Sequence, residues 1–257
     1  MAISPGHVLW RKSLAAVAVI LVALGAWQLA ILLFHPPAFL LPSPSTVAEI
    51  FAHDGSYLAY HALTTIGEMI AGLGVGAAAG IVIALALTRF PAAERFAMPA
   101  IVTTQTLPVF AIAPLIVIWF GFGIGSKVAM AALIIFFPVA SAFHDGLKGT
   151  EDAWLDLARG WGANPSQTLL KVRIPAALPA LASGLKVSAA LAPIGAIVGE
   201  WAGASGGLGY VMLQANARVQ TATVFACLII LAVSAFVLRY AVAVLCDRLV
   251  FWRGHES

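Results

Sequence analysis

The chain has 257 residues, 61% of them hydrophobic and 10% charged, where soluble domains carry about 25% charged residues. With a mean hydropathy of +0.98, this composition excludes a water-soluble globule or a disordered chain and points to a polytopic membrane protein. The formal net charge of +3 is too small and too scattered for a nucleic-acid footprint.

Six long apolar stretches predict an all-α protein of six membrane spans, at 14–34, 62–87, 97–120, 128–143, 176–201 and 224–246. The first follows Arg11 and Lys12 like a signal peptide. Its length, about 31 Å as a helix, instead fits a retained span. Between the first two stretches, Pro42-Ser43-Pro44-Ser45 opens a short interfacial helix that Ser45 is placed to cap. In the second, Gly72, Gly76 and Gly80 form small-residue steps that let helices approach closely. Pro108 and Pro114 in the third stretch, and Pro193 in the fifth, free backbone carbonyls and kink their spans. Cys227 and Cys246 lie in one apolar stretch, about 28 Å apart on a continuous helix, too far to bridge. The six His show no metal-ligand spacing, and no nucleophile, base and acid come together as an enzyme would need.

Six spans put both termini on one side, and the positive-inside rule selects which. With the N-terminus cytoplasmic, twelve of the 14 Lys and Arg fall on the inner side, leaving Lys127 and Arg218 outside. Both termini are therefore expected in the cytoplasm.

Residues 144–175 carry eight charged side chains, which a bilayer core rejects, so they form a cytoplasmic loop. Trp154, Leu157, Ala158 and Trp161 recur at helical spacing as one apolar face, with acids in the first turn. Gly160 and Gly162 end that helix, and Asn164-Pro165-Ser166 opens a second short one. Taken alone, the amphipathic helix reads equally as lying on the membrane surface.

The run Asp156-Leu157-Ala158-Arg159-Gly160-Trp161-Gly162, followed after nine residues by Val172-Arg173-Ile174-Pro175, resembles the EAA signature of ATP-binding-cassette (ABC) importer permeases. Asp156 stands for its Glu and Leu157 departs from its first Ala; Ala158, Gly162, Val172, Ile174 and Pro175 keep the spacing. The resemblance implies a type I ABC importer permease fold, with Trp154, Asp156, Leu157, Ala158, Trp161, Gly162 and Pro175 forming a coupling element that docks on a separate ATPase. It implies a second copy of this chain, two ATPase subunits that bind ATP and magnesium, an extracytoplasmic substrate-binding protein and a bacterial cytoplasmic (inner) membrane. The chain itself lacks a Gly-x-x-x-x-Gly-Lys-Ser/Thr phosphate cradle, and no bound cofactor is expected.

Thr65-Ile66-Gly67-Glu68, the stretch from Gln105 to Leu115, Ala192 to Trp201 and Gly209 to Arg218 are similar to the branch containing nitrate, taurine, alkanesulfonate and thiamine-precursor permeases. The finer similarity is to hydroxymethylpyrimidine permeases, and an acid at Glu68, with no Lys or Arg inside a span away from its ends, argues against an anionic cargo. Glu68 reads either as a pathway group or as a buried polar tie between helices. Gln105 offers both a donor and an acceptor to a neutral heteroaromatic, or an interhelical amide bond. Pro108 kinks the same path. Glu200, with Trp201, either shapes an outer gate loop or receives the binding protein, and Asn216 and Arg218 belong to that outer surface. The alternatives are a nitrate, taurine or alkanesulfonate permease, a secondary transporter or channel, and a membrane scaffold.

Overall fold

The computed structural model describes residues 5–252, with side chains from residue 18 onward except those of Gln105 and Thr106. Arg11, Lys12 and Arg253 therefore lie outside the residues whose side chains are described. The described residues form ten α-helices and no strand: α1 Pro5–Phe34, α2 Pro44–Arg89, α3 Pro91–Thr106, α4 Val109–Phe120, α5 Ile124–Lys148, α6 Asp152–Gly160, α7 Pro165–Thr168, α8 Ile174–Gly203, α9 Leu208–Ala217 and α10 Thr221–Leu249. One π-helical turn, Leu169–Arg173, joins α7 to α8. Four helical runs are long and apolar enough to cross a membrane. The bent pair α3–α4 makes a fifth, and the described part of α1 adds a shorter apolar segment, Ala18–Phe34.

The chain divides into two compact units, residues 1–58 with 211–229, and 59–210 with 230–257. In the first, the Trp27 indole donates to the Pro42 carbonyl at 3.1 Å and lies against Phe225. Thr221 donates to the Phe39 carbonyl at 2.7 Å. The α2 cap is Ser43, whose Oγ accepts from the Thr46 amide at 3.1 Å; this corrects the expectation for Ser45. Pro44, with no N–H and φ already helical, fits the first helical position, so the cap falls one residue before it. The short helix expected there runs directly into the second apolar stretch, with a single kink at Asp54.

The second unit is built on α5. Ala131 and Ile135 are fully buried against Met69 of α2 and Ala192 and Ala196 of α8. A second layer joins Ala84, Val139, Phe143, Leu147, Ala177 and Leu181. Val242 and Cys246 of α10 pack on Ala182 and Ala189. Cys227 and Cys246 are both buried thiols, not joined to each other. The close approach is set by glycines on both sides of α5. Gly72 abuts Ala131, Gly76 abuts Ile135 and Gly80 meets the Phe136 carbonyl, while from α8 Gly184 meets the Pro138 carbonyl and Gly195 meets Ala131. A Cβ on Gly76 would lie 2.8 Å from two Ile135 carbons. Gly76→Leu is therefore expected to destabilise the protein by about 1–3 kcal/mol through overpacking, read as a lowered midpoint of thermal unfolding in detergent.

Two expected stretches change shape. The third breaks at Leu107, which is extended (φ −75°, ψ 126°) before Pro108, and the two helices turn by 102°. Proline disfavours the helical region for its predecessor and supplies no N–H, so the sequence Leu-Pro ends one helix and starts the next. The fourth stretch, expected at 128–143, is a 25-residue helix that takes in Lys127 at one end and His144 and Lys148 at the other.

Candidate functional site

The segment after α5 is mostly helical, so residues 144–175 are less a loop than a run of short elements. Gly149 ends α5, and Asp152 supplies the acid of the first turn of α6. Leu155 and Ala158 are buried, and α6 packs on the π turn. Trp154, Leu157 and Trp161 are 57%, 45% and 81% exposed. The three exposed side chains form an outward apolar ridge with Ala158 buried among them, while Leu155 borders a different cleft. A groove of about 640 Å³ runs beside it, bounded by Trp154, Trp161, Gln167, Pro175 and Trp252. Asp156 stays on the exposed side, paired with Arg159 at 2.7 Å.

The exit from α6 is fixed by backbone conformation. Gly162 has φ +72° with open space around the position of a Cβ, so glycine is required there for its left-handed conformation more than for close contact. Asn164 then forms a capping box with Gln167, each side chain bonded to the other's backbone amide at 2.8 and 3.0 Å. Pro175 sits in the first turn of α8, directly after the π turn. At the base of the segment, Glu94 of α3 lies 3.2 Å from His144 and also pairs with Lys148, and His144 reaches Thr88 at 3.3 Å. This ties the start of α3 and the end of α2 to the end of α5.

A second polar group lies among the helices. Glu68 is buried and pairs with Lys127 at 3.2 Å. Glu200 is equally buried; its Oε1 accepts from Thr65 at 2.6 Å and its Oε2 from the Gly209 amide. The Trp201 indole donates to the Gly209 carbonyl at 3.1 Å. The structure therefore brings Glu68 and Glu200 into one group. Lys127, expected outside the spans, is 7% exposed and pairs with Glu68, which removes the inference from an unpaired acid there. Lys127, Thr65 and His61 were not singled out by sequence reasoning. The signal for Lys127 was the Gly121-Phe122-Gly123 turn, after which a helix begins at once. Pro108 is exposed at the α3–α4 break, and the Gln105 side chain lies outside the described residues. Asn216 and Arg218 are exposed at the end of α9. Arg218 lines a cleft with Asp54, Tyr57 and Gln214. Among the described residues no cluster of His, Cys, Asp and Glu is arranged to hold a metal ion.

Long apolar helices, glycine-lined packing and a charged helical excursion with an apolar ridge define a multi-pass membrane protein. Residues 76–250 match the family described as "Binding-protein-dependent transport system inner membrane component", and the chain belongs to that family. A probable ABC transporter permease protein of Haemophilus influenzae is 44% identical over 90% of this chain and 94% of its own length. The formylaminopyrimidine transport permease protein ThiX of Halalkalibacterium halodurans is 34% identical, over 90% and 92%. A putative aliphatic sulfonates transport permease protein SsuC of Bacillus subtilis is 32% identical, over 95% and 88%. In fold, the chain is similar to a structure of the MetNI methionine ABC transporter in an inward facing conformation, with TM-score 0.63 and 18% identity over 75% of this chain and 95% of that one. This is a permease subunit of an ABC importer, residing in the inner membrane of a bacterium, and not an enzyme.

Proposed function

We propose that α6 is the element through which a separate ATPase drives this permease, and that the cargo is a neutral aminopyrimidine such as hydroxymethylpyrimidine. The observation that carries the coupling reading is the exposed ridge of Trp154, Leu157 and Trp161, with Leu155 buried behind it. Large aromatic side chains presented on a rigid short helix suit a protein groove. In this reading two copies of the chain form the path, two ATPase subunits bind ATP and magnesium, and an external binding protein delivers the cargo to the face bearing Arg218. The distribution of Lys and Arg supports a cytoplasmic α6 and cytoplasmic termini. A cysteine at the exposed Ser56 is then expected to react with an impermeant thiol reagent added to intact cells. One at the exposed Glu151 reacts only after the inner face is opened. The reverse labelling would overturn the orientation.

The cargo reading is supported by the 34% identity to a permease named for formylaminopyrimidine. The Glu68–Lys127 pair is consistent with it, since the two charges offset each other and offer an anion no unpaired cation. Competition uptake with labelled hydroxymethylpyrimidine and taurine is the test. Saturable pyrimidine uptake that taurine does not inhibit is expected; saturable taurine uptake without pyrimidine uptake would assign the chain to the sulfonate branch.

A further inference from the structure

Glu68, Lys127 and Glu200 come from three helices and are nearly sealed, with 1%, 7% and 1% of their surfaces exposed. Two carboxylates and one ammonium leave a net negative charge in an enclosure where an uncompensated charge is costly. The hydrogen bonds are unevenly distributed. Glu200 accepts from the Thr65 hydroxyl and the Gly209 amide, and Gly209 lies in the first turn of α9, where the helix dipole also favours an anion. Glu68 has Lys127 on one oxygen, while its buried Oε2 has no partner. Glu68 lies one helical turn from Thr65 on α2, and Thr65 holds Glu200, so the two carboxyl groups share one enclosure, where like charges do not both ionise readily. A proton on Glu68 removes the excess charge and turns the orphaned oxygen into a donor, giving a neutral chain of ammonium, carboxylic acid and carboxylate.

The same group holds the turn between α8 and α9. The Gly207 amide donates to His61 Nδ1 at 2.9 Å and the Leu208 amide to Thr65 Oγ1 at 2.8 Å. With Gly209 on Glu200, three successive amides are received by side chains of α2 and α8. Their anchor, Glu200, is held in place by the charge balance behind it.

We propose that this cluster is a proton-binding site: one proton, taken from water, is held between Glu68 and Glu200 with Lys127 as fixed counter-charge, and it keeps the 204–207 turn fastened to α2. The titratable groups facing it are His61 and Glu68 from α2, Lys127 from α5, Glu200 from α8 and Tyr210 from α9. His61 accepts through Nδ1, so that nitrogen carries no proton. Loss of the bound proton sets two carboxylates against each other and loosens the turn as pH rises. The inference rests on the closed cluster and is independent of the cargo and coupling readings.

Infrared spectra of the assembled permease–ATPase complex in lipid at neutral pH provide the test. A carbonyl band of a buried protonated carboxyl group is expected in the native protein. It should vanish in Glu68→Gln and also in Glu200→Gln, where Glu68 ionises against Lys127, and persist in Glu94→Gln. Where neither cluster variant assembles, Lys127→Met decides, because without its counter-charge the cluster takes a second proton and the band doubles. A native spectrum with no band that these changes alter overturns the proposal. Hydrogen exchange at Gly207–Gly209, corrected for intrinsic rates, should quicken with rising pH in the native protein and not in Glu68→Gln. Exchange independent of pH in both would overturn the fastening role.

Discussion

Trp161→Ala is expected to abolish most uptake while leaving the permease folded and inserted. Trp161 is 81% exposed at the end of α6, so its side chain contributes little to the isolated fold. On an interface, the same side chain is of the kind whose truncation costs about 2 kcal/mol or more, equivalent to roughly 30-fold weaker docking. ATPase subunits should dissociate from the purified variant at concentrations where the native complex stays whole, and ATP hydrolysis should no longer follow cargo addition. Leu155→Ala serves as the contrast: it removes an inward-facing side chain and should lower the unfolding temperature before it affects docking. Undiminished uptake and ATPase retention in Trp161→Ala would remove α6 from the coupling surface.

The second large effect is expected from Glu200→Ala. This change leaves the Gly209 amide without its acceptor in a sealed site and leaves the Thr65 hydroxyl only the His61 carbonyl at 3.2 Å; the stranded amide costs about 1–3 kcal/mol, and the emptied volume of the buried side chain adds to that. A loss of about 3 kcal/mol or more is expected, corresponding to ~6–12 °C in the unfolding midpoint for a chain of this size. Glu94→Gln, at a pair whose Lys148 partner is 54% exposed, should cost no more than about 1 kcal/mol. A Glu200→Ala protein as stable as the native one would show that the α8–α9 turn is held by packing alone.

These two regions differ in how far their chemistry could be read from the chain. The α6 segment was legible because its determinants are local. Charges cluster where the rest of the chain is apolar, Gly162 and Asn164 mark the turns, and the capping box lies within four residues. What local spacing left open was the burial of Leu155, which depends on what packs behind it. The Glu200 group was largely hidden, since Thr65 and Glu200 are 135 residues apart and nothing periodic links them. The Gly72, Gly76 and Gly80 steps did foretell close packing on the same helix. Lys127 was assigned to the surface because a charge next to an apolar run usually marks its end; burial beside an acid reverses that rule. Pro108 was correctly seen as a disturbance, yet a kink and a full break share one sequence signal, and the extended Leu107 decides between them.

The π turn at Leu169–Arg173 has a consequence for phase. A π turn accommodates one residue more than the α-helix it interrupts, and one residue corresponds to about 100° of rotation. Deleting a single residue there would bring α7 and α8 into α-helical phase, with every span intact. It would also swing α7, and α6 beyond its capped turn, by about that angle around the α8 axis. The outward aim of Trp154 and Trp161 is thus stored in one surplus residue on the way into the bilayer.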